Sequence, residues 1–245
     1  RPVHDHLMAE PMKRFEELDY RPTAKGPAIL RRRWVPVLDR HVVEILLGDE
    51  HLMSDLFIEG ESELARRALA LAPDRPLSVL VGGLGLGYTA RAALEDPRVA
   101  RLTVLDALQP VIEWHEEGLV PLTPPLRDDP RCVLRLADFF TWFSPGSPRH
   151  SDETYDLVLL DIDHSPTRLL VPDHAAFYTP KGLADLALGM RPDGVFAMWS
   201  DDPAEAGFIH ALRGVFADVH AEDVRFDNPL TGEPSQCTLY LGRRR

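Results

Sequence analysis

The chain has 245 residues, 44% of them hydrophobic and 27% charged, which fits one large domain or a main domain with a small satellite. Its formal net charge is −12, so its surface repels phosphate backbones and anionic lipids, and we expect neither nucleic acid nor a membrane as a partner. No apolar run is long enough for a membrane helix, and residues 1–10 lack the apolar centre of a signal peptide, so we expect a cytoplasmic protein. The two cysteines have no metal-ligand spacing, so we expect no metal.

Residues 1–60 predict a small N-terminal β-rich region. Three short apolar runs are interrupted by proline, glycine and aspartate, which is typical of antiparallel strands joined by turns. The runs are residues 28–34, 41–47 and 51–54. Ahead of them, residues 12–18 indicate a short helix. The arginine runs 31–33 and 243–245 are interpreted as solvated charge.

Residues 61–245 predict a Rossmann-like domain, because short apolar strands alternate with segments of helical length. The expected strands are residues 77–81, 101–106, 132–138, 155–161 and 194–199. The expected helices are residues 61–71, 88–94, 110–117, 174–189 and 204–216. Residues 219–226 and 236–241 predict a closing hairpin. Right-handed crossovers then give an α/β fold with a mostly parallel, doubly wound sheet.

A glycine loop (residues 82–87, GGLGLG) lies between the first of these strands and the helix that follows. The spacing of its last three glycines is tighter than the Gly-x-Gly-x-x-Gly of dinucleotide enzymes and is typical of S-adenosylmethionine folds. Such glycines make a tight turn and let a ligand approach bare backbone. We predict donor-binding roles for Gly82, Gly83, Gly85 and Gly87. A nicotinamide dinucleotide ligand and a purely structural turn stay open as alternatives.

Three aspartates end the strands that follow the glycine loop. Asp106 ends the second strand, where a carboxylate can accept hydrogen bonds from both ribose hydroxyls. Asp138 ends the third, at the expected height of an adenine amine, and Asp161 ends the fourth. Ligands of open α/β sheets bind at the carboxyl ends of strands, so we predict one site there. The alternative is that these acids are loop residues or helix caps.

The segment after the fourth strand, residues 161–166 (DIDHSP), concentrates acids and a histidine at the predicted site. An amine must be neutral to attack a sulfonium carbon, so we predict that Asp161 is the catalytic residue that orients it or accepts its proton. Asp163 and His164 are predicted to bind a second cationic centre of the substrate, with loop capping as the alternative. Tyr178 is predicted to wall the substrate pocket, although such aromatic residues are as often core. We interpret His115, on the helix after Asp106, as packing.

These residues resemble the spermidine synthase family (polyamine aminopropyltransferases) over about residues 77–200. The glycine loop looks like the family's Gly-Gly-Gly-Asp-Gly-Gly, and Asp106 matches its ribose-binding acid. Asp138 resembles the aspartate of its Gly-Asp pair beside adenine. Residues 155–166 resemble its Tyr-Asp-…-Asp-Ser-Ser-Asp-Pro segment, which assigns Asp161 to the catalytic aspartate. The resemblance implies a Rossmann-like S-adenosylmethionine-dependent transferase fold with a small N-terminal β unit, an amine acceptor, and pairing of chains as a homodimer.

Three departures from the family pattern concern substrate recognition. Gly85 stands where the family has an aspartate that holds the donor's aminopropyl ammonium, and losing that acid favours ordinary S-adenosylmethionine, which adds a carboxylate. The family's Tyr-His-Glu appears as residues 61–63 (ESE), so only Glu63 matches and is predicted to bind substrate. The family's late Tyr-Pro-x-Gly is replaced by residues 228–232 (NPLTG).

Three functions therefore stay open at this point. The first is a spermidine synthase-like transfer of an alkyl, aminopropyl-type group from S-adenosylmethionine or its decarboxylated form to an amine. The second is an S-adenosylmethionine-dependent methyltransferase with an unknown nucleophilic acceptor. The third is a non-catalytic relative that only binds the nucleoside.

Overall fold

A computed structural model of the chain describes residues 13–144, 146–147 and 153–245. The chain divides into two compact units, with the boundary between Leu56 and Phe57. The second unit therefore begins just before residue 61, the start expected from the sequence. Residues 1–12 of the expected N-terminal region lie outside the described residues.

The first unit is an antiparallel sheet of four strands in the order β1-β2-β3-β4. The strands are β1 (Phe15–Arg21), β2 (Ala28–Val35), β3 (Arg40–Leu47) and β4 (Glu50–Ser54). The helix expected at 12–18 is wrong where the chain is described, because β1 occupies that stretch. Opposite charges face each other across the two strands, with Glu16 opposite Arg32 and Glu17 opposite Arg31. Such cross-strand pairs stabilise a sheet.

The arginine run 31–33 is not merely solvated charge. The guanidinium groups of Arg31 and Arg33 donate to the carboxylate of Glu44 at 2.9 and 2.7 Å. Glu44 is only 2% exposed, so these bonds satisfy an acid that burial would otherwise destabilise. The pair of bonds also fixes β2 against β3.

The second unit is an α/β layer structure, as the sequence predicts. Its strands are β5 (Leu77–Gly82), β6 (Val99–Asp106), β7 (Cys132–Leu136), β8 (Tyr155–Leu160), β9 (Met190–Ser200), β10 (Phe216–Phe226) and β11 (Ser235–Arg244). Its helices are α1 (Glu59–Leu71), α2 (Tyr88–Leu94), α3 (Gln109–Glu117), α4 (Phe139–Trp142), α5 (Pro180–Leu188) and α6 (Ala206–Val215). The strand order is β10-β11-β9-β8-β5-β6-β7. Strands β5 to β9 are parallel, and β10 and β11 form the expected antiparallel hairpin.

The strand order reverses between β5 and β8. The chain runs from β5 outward through β6 and β7, then returns to β8 on the other side of β5. Helices on the two sides leave a crevice at such a point, at the carboxyl ends of the strands. Backbone bonds join the strands there: Asp161 N–H donates to the Gly82 carbonyl, and Gly83 N–H donates to the Leu105 carbonyl, both at 2.9 Å.

The helix expected at 174–189 is divided. A short 3-10 turn at Pro172–Ala176 comes first, and α5 begins only at Pro180. Proline favours the first turn of a helix because its missing N–H needs no partner there. The Thr179 side chain caps this start by accepting from the Gly182 N–H at 3.2 Å.

The opposite end of β8 is held by a buried acid. Asp156 is fully buried, and its carboxylate accepts bonds from Arg75 at 2.9 and 3.0 Å, Arg191 at 2.8 Å and the Ser78 N–H at 2.8 Å. Two guanidinium groups and one backbone N–H therefore satisfy both of its oxygens. This cluster fixes the amino ends of β5 and β8, so their carboxyl ends meet at a defined place.

Candidate active site

The glycine loop turns from β5 into α2 with a left-handed backbone. Gly83, Gly85 and Gly87 have φ angles of 96°, 47° and 89°, which L side chains rarely adopt. At Gly83 a Cβ atom would lie 2.1 Å from the backbone carbonyl oxygen of Asp161. A side chain at Gly83 would therefore separate the loop from the end of β8. The glycine keeps the loop and Asp161 in direct contact.

Asp106 lies against the glycine loop, as predicted. Its carboxylate accepts the N–H of Leu84 at 3.0 Å and the N–H of Leu108 at 2.8 Å. One acid thus connects the loop that follows β5 to the start of the helix that follows β6. This is the position at which the sequence pattern predicts the ribose, and a carboxylate held there suits a ribose diol.

The sequence analysis interprets His115 as packing, but in the structure its ring also forms a hydrogen bond to the glycine loop. Its Nε2 atom lies 2.8 Å from the carbonyl oxygen of Gly85. A carbonyl only accepts, so Nε2 carries the hydrogen and donates. Burial lowers the pKa of His115, which favours this neutral form. The only signal in the sequence was a histidine at a core-facing position of α3.

Asp138 follows β7 and is exposed. Its carboxylate accepts the N–H of Phe140 at 2.9 Å and so caps α4. Both interpretations of this residue are therefore compatible with its position, since it is a helix cap at the edge where adenine was expected.

Asp161 lies at the carboxyl end of β8 and is largely buried. The Thr89 hydroxyl donates to its carboxylate at 3.2 Å. Burial raises the pKa of Asp161, and the Thr89 bond opposes that shift in part. A carboxylate with a raised pKa at the centre of the crevice is suited to accept a proton from an amine near neutral pH.

A second acid, Glu61 near the start of α1, lies beside Asp161 and was missed by the sequence analysis. Burial, and next the charge of Asp161, raise the pKa of Glu61. We call these two residues the acid pair. The same helix carries Glu63, which the structure does not bring to the site. Glu63 instead bonds to Arg67 at 2.9 Å and to Arg66 at 3.5 Å on the surface.

Helix geometry explains why the two glutamates of this segment lie in different surroundings. Residues two apart in an α-helix are separated by about 200° around its axis. Glu61 and Glu63 therefore face nearly opposite directions. A motif match along the sequence does not distinguish these two faces of α1, and the substrate-binding role of Glu63 stays a prediction.

Asp163 and Tyr178 form a buried network behind the site rather than a substrate surface. Asp163 is fully buried and accepts the Tyr178 hydroxyl at 2.7 Å, His174 Nδ1 at 2.9 Å and the Leu170 N–H at 2.8 Å. Both carboxylate oxygens are thus used within the protein. These bonds fix the turn after Asp161, and the substrate-binding roles of Asp163 and Tyr178 stay predictions.

His164 lies in that turn and is partly exposed. Its backbone carbonyl accepts the N–H of Asp201 at 2.7 Å, which ties the end of β8 to the end of β9. Its ring lies near the acid of Asp202. The substrate-binding role of His164 stays a prediction.

Among the residues that the structure describes, no group of three or more His, Cys, Asp or Glu side chains could hold a metal ion. Within the same residues, no helix is both long and apolar enough to cross a membrane.

The sheet, the glycine loop and the crevice have the arrangement of the S-adenosylmethionine-dependent transferase folds. Spermidine synthase from Thermotoga maritima superposes with a TM-score of 0.68 at 19% identity, covering 94% of this chain and 73% of that chain. A spermidine synthase in complex with the transition-state analogue AdoDATO gives 0.67, also at 19% identity, covering 94% and 72%. Human methyltransferase-like protein 13, in complex with SAH, gives 0.52 at 16% identity, covering 76% and 80%. These similarities confirm the predicted fold.

The amino-acid sequence is similar to those of particular relatives. Polyamine aminopropyltransferase 2 of Pseudomonas aeruginosa is 30% identical over 208 residues, covering 78% of this chain and 55% of that protein. Polyamine aminopropyltransferase of Pyrobaculum aerophilum is 27% identical over 152 residues, covering 61% and 50%. No protein-family model matches the chain. The chain spans about half the length of these relatives. It is a homologue of the polyamine aminopropyltransferases, which confirms the resemblance to the spermidine synthase family.

Proposed function

We propose that this protein transfers an aminopropyl-type alkyl group from a sulfonium nucleoside, S-adenosylmethionine or its decarboxylated form, to a small amine. The observation that carries the proposal is the position of Asp161. It is a largely buried acid with a raised pKa at the carboxyl end of β8, in contact with the glycine loop. The similarity to polyamine aminopropyltransferases supports the same reaction.

The residues of the crevice suit such a donor. Asp106 offers a carboxylate at the loop for the ribose, and Asp138 lies at the end of β7 for the adenine. His115 fixes the backbone of the glycine loop through the Gly85 carbonyl. We propose that these residues hold the donor so that the carbon bonded to sulfur faces Asp161. Aligning that carbon with the attacking nitrogen supplies much of the rate enhancement.

A methyltransferase is the second candidate, and Gly85 favours it. An acid at this position would repel the carboxylate of S-adenosylmethionine, and glycine does not. The φ angle of Gly85 is 47°, a left-handed value that aspartate tolerates better than most residues. Gly85→Asp is therefore a conservative test of donor choice.

The experiment supplies purified protein with each donor in turn, together with 1,4-diaminobutane, and identifies the products by mass spectrometry. Aminopropyl transfer releases methylthioadenosine and adds the aminopropyl group to the amine. Methyl transfer releases S-adenosylhomocysteine instead. We expect methylthioadenosine, and we expect Gly85→Asp to bind the decarboxylated donor more tightly than the parent chain does. Methylation with no methylthioadenosine would replace the first candidate with the second.

A further inference from the structure

We infer that Glu61 and Asp161 act together as the receptor for the acceptor's ammonium group, so that the acceptor is a primary amine that arrives protonated. This inference rests on the proposed function, because it concerns the acceptor side of the same site. It adds a residue that the family pattern does not supply, since residues 61–63 depart from that pattern.

The start of α1 packs against the end of β9 and the beginning of β11, and this packing places Glu61. A Cβ atom on Gly60 would lie 2.5 Å from Trp199 Nε1 and 2.9 Å from Cys237 Sγ. The helix also packs against β8, and Asp161 is the residue that follows this strand. Glycine at position 60 thus permits the close approach of α1 to the sheet, and the next residue, Glu61, lies beside Asp161.

The acid pair has no cationic partner among the residues that the structure describes. The Thr89 hydroxyl bonds Asp161, and the groups that act on Glu61 are its own backbone N–H, Asp161 and Glu59. The other titratable group facing the pair is Cys237, whose pKa burial raises to about 12. Two largely buried carboxylates without a cation are unfavourable. A bound ammonium would supply the missing charge.

Because the pKa values of both acids are raised, binding of an amine should change the number of protons that the pair holds, and this change can be measured. In the absence of ligand, the pair retains a proton at pH values where ordinary carboxyl groups have lost theirs. An ammonium group between the two carboxylates favours their ionised forms. Binding of the amine therefore releases a proton to solvent.

The transfer step then balances within the site. The bound ammonium gives one proton to a carboxylate of the pair and becomes a neutral amine. The nitrogen lone pair forms the new N–C bond, while the C–S bond breaks and its electron pair stays on sulfur. The product nitrogen is again a cation, and the proton stays on the pair until product leaves.

Glu61→Gln tests the inference, with Glu95→Gln as the matched control. Glutamine keeps the size of the side chain and removes its charge, while Glu95 is an exposed acid near the end of α2 that pairs with Arg66. We would titrate each protein with n-butylamine and with uncharged n-butanol by calorimetry, in the presence of methylthioadenosine. Two buffers with different ionisation enthalpies report the protons released.

We expect the wild type and Glu95→Gln to bind n-butylamine with proton release and to bind n-butanol weakly. Glu61→Gln should lose the proton release and bind the amine about tenfold more weakly or worse. In the transfer assay its KM for the amine should rise more than its kcat falls, and its affinity for methylthioadenosine should not change. Unchanged amine affinity and proton release in Glu61→Gln would overturn the inference.

The inference and the proposed function can fail separately. If the wild type transfers nothing from either donor but shows Glu61-dependent proton release, the function is wrong and the amine site stands. If transfer occurs and Glu61→Gln matches Glu95→Gln, the function stands and the inference is wrong. Glu61→Asp guards against a folding defect, because it keeps the carboxylate. We expect it to retain proton release, and loss of that release in a folded Glu61→Asp protein would contradict the inference.

Discussion

Replacing Gly83 with alanine tests the close contact on which the candidate active site depends. The φ angle of Gly83 is 96°, and its Cβ would lie 2.1 Å from the Asp161 carbonyl oxygen. That oxygen belongs to the backbone, so it cannot swing away as a flexible side chain would. The loop or the end of β8 must therefore move.

Two terms set the expected loss of stability for Gly83→Ala. A left-handed backbone costs an alanine about 1–2 kcal/mol. Overpacking against the Asp161 backbone costs about 1–3 kcal/mol more. The sum of about 2–5 kcal/mol corresponds to a fall in Tm of roughly 4–20 °C for a chain of this size.

The assay is thermal unfolding followed by circular dichroism, with donor affinity measured by calorimetry. Gly207→Ala is the control, because Gly207 lies in α6 with no atom within 4 Å of the added Cβ. Alanine in a helix should stabilise the control by up to about 1 kcal/mol. Gly83→Ala should lower both Tm and donor affinity. Wild-type values for both would refute the close contact between the glycine loop and Asp161.

Three further predictions follow from the other contacts. Asp156→Asn should lower the free energy of unfolding by about 2–3 kcal/mol in urea denaturation. The substitution removes the charge of a fully buried carboxylate that pairs with two partly solvated arginines, and an unchanged free energy of unfolding would contradict the role assigned to Asp156. Asp106→Asn should weaken donor binding about tenfold in calorimetry through loss of charge-assisted bonds, and unchanged affinity would mean that the ribose lies elsewhere. Because Glu61 has a raised pKa in the folded state, the folded protein holds a proton that the unfolded chain loses above about pH 4.3, so stability should fall as the pH rises toward the folded value. Glu61→Gln should reduce this decline in pH-dependent unfolding and leave the part that the raised pKa of Asp161 causes. An identical pH profile would show that Glu61 does not titrate as described.

The parallel sheet was predictable because its strands are buried on both faces. A strand such as β8 is buried along its whole length and is apolar apart from Asp156, and the central strands are followed by turn residues and a segment of helical period. The helix α2, residues 88–94, and the hairpin of β10 and β11 were also predicted from the sequence. The glycine loop and Asp106 followed from their order along the chain.

Features that depend on contacts between distant segments were not predictable. The strand β1 has a local pattern compatible with a helix, and its pairing with the arginines of β2 decides its conformation. Asp163 has the same sequence context whether it faces solvent or the interior, and only the folded position of Tyr178, just before α5, shows that Tyr178 bonds it. The position of Glu61 beside Asp161 likewise depends on the packing of α1 against the sheet.

The most direct test of the central claim is a single-turnover comparison of the wild type with Asp161→Asn. If Asp161 accepts the proton of the amine and does not bind the donor, the rate of transfer to 1,4-diaminobutane should fall about a hundredfold in the variant. Donor affinity, measured by calorimetry on the same samples, should stay nearly unchanged. Equal losses of transfer rate and donor affinity would make Asp161 a binding residue, and an unchanged rate would contradict the proposed active site.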